Sequence, residues 1–177
     1  MYFLPLFEGY LGQEVVDKCT DRHPDRMLFL DVEDVQPGMR IPPRVKHGIK
    51  HARCLVALVS PQYFCSEWCV VEWDSFMRRG QEEGRELVVP VIVHDGETVR
   101  TAISDTMCLN LRDYVTDAEA FKRSRKYMPF EKKVRALAER VAGIVKNAPE
   151  WKAEFPVRDP PDTAVYPKPK TPLMRLG

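Results

Sequence analysis

The sequence predicts an α/β fold in which a mostly parallel sheet is covered on both faces, and three observations carry that prediction. Met27–Leu30, Cys54–Val59 and Leu87–Val93 are short, continuous apolar runs, the pattern that strands buried on both sides require. Stretches with helical periodicity alternate with them, and the clearest, Phe130–Val145, closes the series. Proline, glycine and polar clusters separate one segment from the next.

Each element has its own justification. Phe3, Phe7, Tyr10, Leu11 and Val15 form one stripe at helical spacing across Phe3–Cys19, and Pro5 falls where a first turn tolerates it. Gly9 and Gly12 each weaken that helix by up to about 1 kcal/mol relative to alanine. His23-Pro24-Asp25 breaks the pattern before the first strand, Met27–Leu30. Asp31–Pro43 is rich in acidic residues, proline and glycine, which predicts a long polar loop leading to a short helix over Val45–His51. The second strand, Cys54–Val59, stops at Ser60-Pro61. Tyr63–Arg79 reads as a helix with Cys69, Trp73, Phe76 and Met77 on one face, ended by Gly80 and Gly84. In the third strand, Leu87–Val93, Pro90 removes one ladder donor and predicts an edge position or a bulge. Met107–Leu111 is a short candidate for a final strand. Phe130, Val134, Leu137, Val141, Ile144 and Val145 follow the 3.6-residue repeat up to Asn147-Ala148-Pro149. The proline-rich remainder has too few apolar residues to offset its ordering entropy, so residues 1–151 are expected to be the domain and 152–177 a tail or linker.

Composition narrows the function classes. Lys and Arg number 27 against 26 Asp and Glu in 177 residues, so no global field holds a nucleic acid or an anionic membrane, and neither is an expected partner. With no apolar run near the roughly 18 residues that span a bilayer, and no basic leader with a cleavage site, the expected location is the cytoplasm. Five cysteines without a C-x-x-C pair read as reduced thiols. Cys65 with Cys69, and His47 with His51, are spaced to share a helix face, but neither pair has the third ligand a catalytic zinc needs, and no metal is expected.

Ser66-Glu67-Trp68-Cys69-Val70-Val71-Glu72 comes just after the run CLVALVSP, beyond Gln62-Tyr63-Phe64-Cys65. Ahead of it, Asp34, Pro37, Gly38 and Ile41 stand in an acidic-x-x-Pro-Gly-x-x-Ile arrangement. Together with LNLRDY and the closing helix, these residues resemble the TIR (Toll/interleukin-1 receptor) domain family, in its bacterial type, over roughly Met1–Trp151. The resemblance implies a flavodoxin-like α/β fold. It also implies that the first, central strand of the family is missing, because the chain opens on residues similar to the family's first helix. That strand's slot is then expected to be empty, or filled by the N-terminus or a partner chain.

Enzymatic TIR domains cleave NAD+ at the bond between nicotinamide and ribose. By motif, Glu72 matches their catalytic glutamate and Trp68 the aromatic residue before it, while Ser66, Asp34, Gly38 and Ile41 fall at substrate-binding positions. NAD+ is then a substrate, and no cofactor is implied. The chemistry is consistent with a lone carboxylate: nicotinamide leaves as a neutral group from a cationic ring, so the demand is for negative charge beside the developing ribosyl cation, not for a strong general acid. Trp68 and Glu72 are i,i+4 neighbours, and wheel geometry places them beside the apolar face, with Glu67 and Asp74 facing solvent. Without the family pattern, Glu72 would read as an ordinary solvated helix glutamate and Trp68 as a packing residue. The loop holding Asp34, Pro37, Gly38 and Ile41 closes the cleft, docks a neighbouring TIR domain, or is an ordinary turn, and Pro37-Gly38 serves all three.

The leading expectation is an NAD+-cleaving effector of bacterial defence, activated when TIR domains assemble, with a sensor partner joined through the tail. The alternative is a non-catalytic adaptor that uses the loop for homotypic binding. A nucleoside deoxyribosyltransferase-like enzyme would share the architecture, but the Ser-x-Trp-Cys-x-x-Glu motif and the Pro-Gly loop argue against it.

Overall fold

The computed structural model describes residues 3–18, 43–94, 103, 108–114, 121–150, 152, 153, 155 and 157. In chain order these form α1 (Phe3–Lys18), α2 (Pro43–His51), β1 (Leu55–Val59), a 3-10 turn (Tyr63–Cys65), α3 (Glu67–Glu83), β2 (Val88–Ile92), β3 (Leu109–Asn110), a second 3-10 turn (Arg112–Tyr114) and α4 (Tyr127–Asn147). The expected strand Met27–Leu30, the loop carrying Asp34, Pro37, Gly38 and Ile41, and the chain beyond Val157 lie outside the described residues.

The described sheet has the order β1-β2-β3 and is parallel throughout, with Leu55 opposite Val88, Val59 opposite Ile92, and Val91 opposite Leu109. All five residues of β2 are buried, as a strand covered on both faces must be. Its side chains alternate: Val88 and Ile92 join one core cluster with Val45, Ile49, Val71 and Phe76 from α2 and α3. Val89 and Val91 join the other with Phe3, Phe7, Val134 and Leu137 from α1 and α4. The sheet is thus sandwiched, and the α/β prediction stands.

Pro90 is accommodated differently from the expectation. β2 is the middle strand of the described sheet, not its edge. The backbone groups of odd-numbered residues face β1, since Leu87 O accepts from Leu55 N and Val93 N donates to Val59 O, while Ile92 O accepts from Leu111 N on the β3 side. Pro90 therefore turns its missing donor toward β3, whose pairing begins only one residue later, at Val91.

The helices also refine the sequence-based boundaries. In α1 the residues Phe3, Phe7, Leu11 and Val15 are buried as expected, and Phe3 and Phe7 stack at 5.5 Å. This N-terminal segment is a helix packed against α4, so it does not fill a strand position, and among the described residues no strand pairs with β1 on the side away from β2. α4 begins at Tyr127, three residues earlier than the periodicity suggested, with Pro129 in a first turn that needs no donor from it. The helix expected over Tyr63–Arg79 is instead a 3-10 turn followed by α3, because Ser66 adopts an extended backbone and caps the new helix. Past the expected domain end at 151, Phe155 is buried and Val157 packs on the first cluster.

Gly84, not Gly80, ends α3. Gly84 takes the left-handed conformation (φ 62°), its N–H reaches Gln81 O, and Arg85 N donates to Gly80 O at 2.8 Å, the paired bonds of a Schellman motif. Gly80 is required for a separate reason: a Cβ there would lie 2.5 Å from Arg85 O. Gly80→Ala is expected to cost about 1–3 kcal/mol, as overpacking against backbone does, and Gly84→Ala about 1 kcal/mol from the left-handed backbone. Urea unfolding midpoints check the order; a Gly84→Ala cost above that of Gly80→Ala contradicts it.

Candidate functional site

The site is built where β1 ends. Val59 O accepts from Val93 N and, at 3.5 Å, from His94 N, and Ser60-Pro61 turns the chain away from the sheet. Tyr63 N bonds to Ser60 O at 3.0 Å and Cys65 N to Gln62 O at 3.0 Å, which winds the tight turn ahead of α3. Tyr63, Phe64 and Trp73 meet edge-to-face in pairs, with centroids 5.1 to 6.3 Å apart, and anchor that turn to the core. α3 therefore starts at the carboxyl end of a parallel strand, where ligands of α/β sheets bind.

Ser66 is the N-cap: its Oγ accepts from Cys69 N at 3.5 Å, so the structure gives this residue a local structural duty. Trp68 is buried, only 8% exposed, within the first core cluster; it is a packed residue and not the plate beside the apolar face that the wheel suggested. Glu72 is half-buried, and its i−4 and i+4 neighbours, Trp68 and Phe76, are both buried. Ser75 and Arg79, on the same side, are buried as well. The carboxylate thus lies within the inward stripe of α3, where a charge costs desolvation unless it is engaged, instead of flanking it. Glu67 is exposed, as expected, whereas Asp74 is half-buried. The structure brings Ser66, Trp68 and Glu72 together on the first two turns of one helix; Asp34, Gly38 and Ile41 fall outside the described residues.

The cysteine and histidine pairs resolve into separate roles. Cys65 lies in the 3-10 turn, exposed, with its thiol donating to Pro61 O at 3.4 Å, so Cys65 and Cys69 do not share one helix face. His47 and His51 are exposed on α2 with ring centroids 4.1 Å apart. Among the described residues no three His, Cys, Asp or Glu side chains gather as a metal site. Cys54 packs against the second core cluster, and burial pushes its thiol up to about 12. At pH 8 its nucleophilic thiolate is scarce. In the folded protein, a thiol reagent at pH 8 is expected to modify Cys65 while sparing Cys54; mass spectrometry of the labelled peptides decides, and equal labelling of both contradicts the burial.

Sequence reasoning did not single out Arg79, which is 1% exposed on α3. Its two terminal nitrogens donate to Ala52 O and Ile49 O, each at 2.8 Å, at the C-terminal end of α2. The guanidinium lies between the rings of Phe76 and Phe155, at 4.7 and 4.1 Å from their centroids. Arg53 Nη1 likewise donates to Val145 O near the end of α4, at 3.3 Å. A cation thus meets each helix end where the carbonyl dipoles concentrate negative charge. The cavity lined by His51, Arg53, Arg79, Pro149 and Phe155 lies among these caps, away from Glu72.

With the α3 motif seated at the end of a strand in a sandwiched parallel sheet, comparison with known proteins decides the family. The TIR domain family model matches residues 13–125, more than half of the chain. The chain belongs to the TIR domain family. Two curated relatives, both described as disease resistance protein RPS6 of Arabidopsis thaliana, are 31% identical over 106 residues, 56% of this chain. The match spans only 9% of each relative's length. No solved structure matches it. TIR domains commonly self-associate, and no described helix is long and apolar enough to cross a membrane.

Proposed function

We propose that this TIR domain cleaves NAD+ at the bond between nicotinamide and ribose, with Glu72 as the catalytic carboxylate. The observation that carries this reading is the placement of Glu72: a half-buried glutamate on the inward stripe of α3, on the second turn of the helix that follows β1, with buried Trp68 and Phe76 four residues to either side. As the C–N bond breaks, its electron pair leaves with neutral nicotinamide, and Glu72 stabilises the ribosyl cation left behind. Water adds at that carbon and loses a proton, giving ADP-ribose; attack by a group of the same molecule gives a cyclic isomer. Trp68 acts from beneath, by fixing the turn of helix that presents Glu72, and Ser66 by fixing where that helix begins.

Assembly of TIR domains completes the cleft in this reading, with the loop of Asp34, Gly38 and Ile41 closing over the nucleotide or docking on a neighbouring copy. The description of the relatives as disease resistance proteins supports a role in defence. The test is nicotinamide release from NAD+ by concentrated protein under crowding, compared among wild type, Glu72→Gln and Glu67→Gln. Release that Glu72→Gln abolishes and Glu67→Gln retains supports the assignment. A folded, self-associated wild type that releases none belongs with the non-catalytic adaptors.

A further inference from the structure

We propose that the segment entering α4 is a peripheral contact for anionic lipid: Met128 inserts among the headgroups while Arg123, Arg125, Lys126 and Lys132 bind the lipid anions around it. The near-neutral total charge conceals a strong local imbalance. Residues 121–135 hold seven Lys and Arg against one Glu, leaving 20 Lys and Arg against 25 Asp and Glu in the rest of the chain. The lone carboxylate, Glu131, is turned toward α1, where it accepts from the Tyr10 hydroxyl. The nearest acid in the adjoining turn, Asp113, lies 3.9 Å from Arg112, and its backbone carbonyl accepts from Lys126 Nζ at 3.5 Å.

These cations stand where α4 itself does not favour them. A helix N-terminus carries partial positive charge, and the first turn of α4 has no acidic residue to offset it. The cation field and the helix end therefore add, and both attract an anion. Two neighbours are already engaged with aromatic rings: Arg135 lies over Tyr10 at 4.5 Å and Lys133 over Tyr114 at 5.8 Å. Arg123, Arg125, Lys126 and Lys132 are exposed.

Met128 points to lipid rather than nucleic acid. At 70% exposure it is the one large hydrophobic side chain so exposed among the described residues, and Pro129 beside it is exposed too. A phosphate backbone has no use for a protruding thioether, whereas the boundary between headgroups and acyl chains takes an apolar tip with a basic surround. The tip is held firmly from behind: Tyr127 and Phe130 pack on Phe121 at 5.9 and 5.2 Å, and Tyr114 meets Phe130 at 5.7 Å.

The experiment is sedimentation of the full chain with vesicles of phosphatidylcholine alone, or with about a third replaced by phosphatidylserine, at low and physiological salt. Wild type is expected to pellet only with the anionic vesicles, and less so as salt rises. Replacing Arg123, Arg125, Lys126 and Lys132 together with Gln is expected to weaken that binding at least about tenfold, and Met128→Ser about fivefold, with circular dichroism unchanged. Failure of folded wild type to pellet with anionic vesicles overturns the proposal. So does Met128→Ser binding equal to wild type, which would leave attraction without insertion. Binding to a short RNA duplex with no vesicle binding assigns the patch to nucleic acid and also overturns it.

Discussion

Glu72→Gln is expected to lower nicotinamide release by a factor on the order of a hundred or more, since removing one preorganised electrostatic partner of a charged transition state costs about 2.7–4 kcal/mol. The swap keeps the shape of the side chain and removes its charge. Because Glu72 is half-buried between Trp68 and Phe76, the amide also relieves a charge of partial desolvation, and the change in folding stability is expected to stay within about 1 kcal/mol. Activity and stability therefore separate at this position. They do not separate at Trp68: truncating a side chain that is only 8% exposed to alanine costs about 3–5 kcal/mol, so any loss of activity in Trp68→Ala would mix unfolding with chemistry. Trp68→Phe is the cleaner comparison. Steady-state rates alongside thermal melts check both substitutions. Activity surviving in Glu72→Gln while vanishing in Glu67→Gln, whose side chain is exposed on the first turn of α3, places the reacting carboxylate elsewhere.

The sheet was legible in the sequence wherever a strand is buried on both faces. Cys54–Val59 and Leu87–Val93 read as strands from their continuous apolar residues, and β1 and β2 fall inside those bounds. α1 was legible for a similar reason, because its stripe of Phe3, Phe7, Leu11 and Val15 is the face that meets the core. What periodicity could not convey was the entry to α3. Ser66, expected at a substrate-binding position, also caps the helix, and at that residue the backbone changes from a 3-10 turn to an α-helix. Trp68 and Glu72, placed on the flank of the helix by the wheel, sit on its inward stripe because the buried arc also takes in Val71, Ser75 and Arg79, beyond the apolar face of Cys69, Trp73 and Phe76. Pro90 shows a second limit: whether a strand tolerates proline depends on which neighbour its nitrogen faces, and that is fixed by register. A total of +1 also says nothing of how charge is distributed along the chain, and the basic segment around Met128 shows only when the residues are read one by one.

Arg79 is the largest expected determinant of stability that apolar patterning overlooks. Stepping along α3 from Val71, the residues at i+4 and i+8 are Ser75 and Arg79, both polar and both buried. Ser75 satisfies itself locally, its hydroxyl donating to Val71 O at 2.6 Å. Arg79 instead reaches across to α2, bridging Ile49 O and Ala52 O. Burial pulls its guanidinium below the usual arginine range, yet the group stays protonated at neutral pH, because arginine starts so far above it. Arg79→Met preserves length and packing while leaving two carbonyls at the end of α2 without their donor. Each of the two hydrogen bonds from this charged donor contributes about 1.5–3 kcal/mol, and relief of the buried charge returns part of their sum, so the net loss is expected to be about 3 kcal/mol. Against a domain stability of about 5–15 kcal/mol, such a loss shifts the urea midpoint by a large fraction. Arg79→Lys should recover little of it, since one ammonium lacks the planar fork that spans two carbonyls and stacks between Phe76 and Phe155. A double-mutant cycle with Phe155→Leu isolates the stacking, with an expected coupling of about 1 kcal/mol. An Arg79→Met protein whose stability lies within about 0.5 kcal/mol of wild type would show that α2 ends as well without the cap, which the two bonds of 2.8 Å argue against.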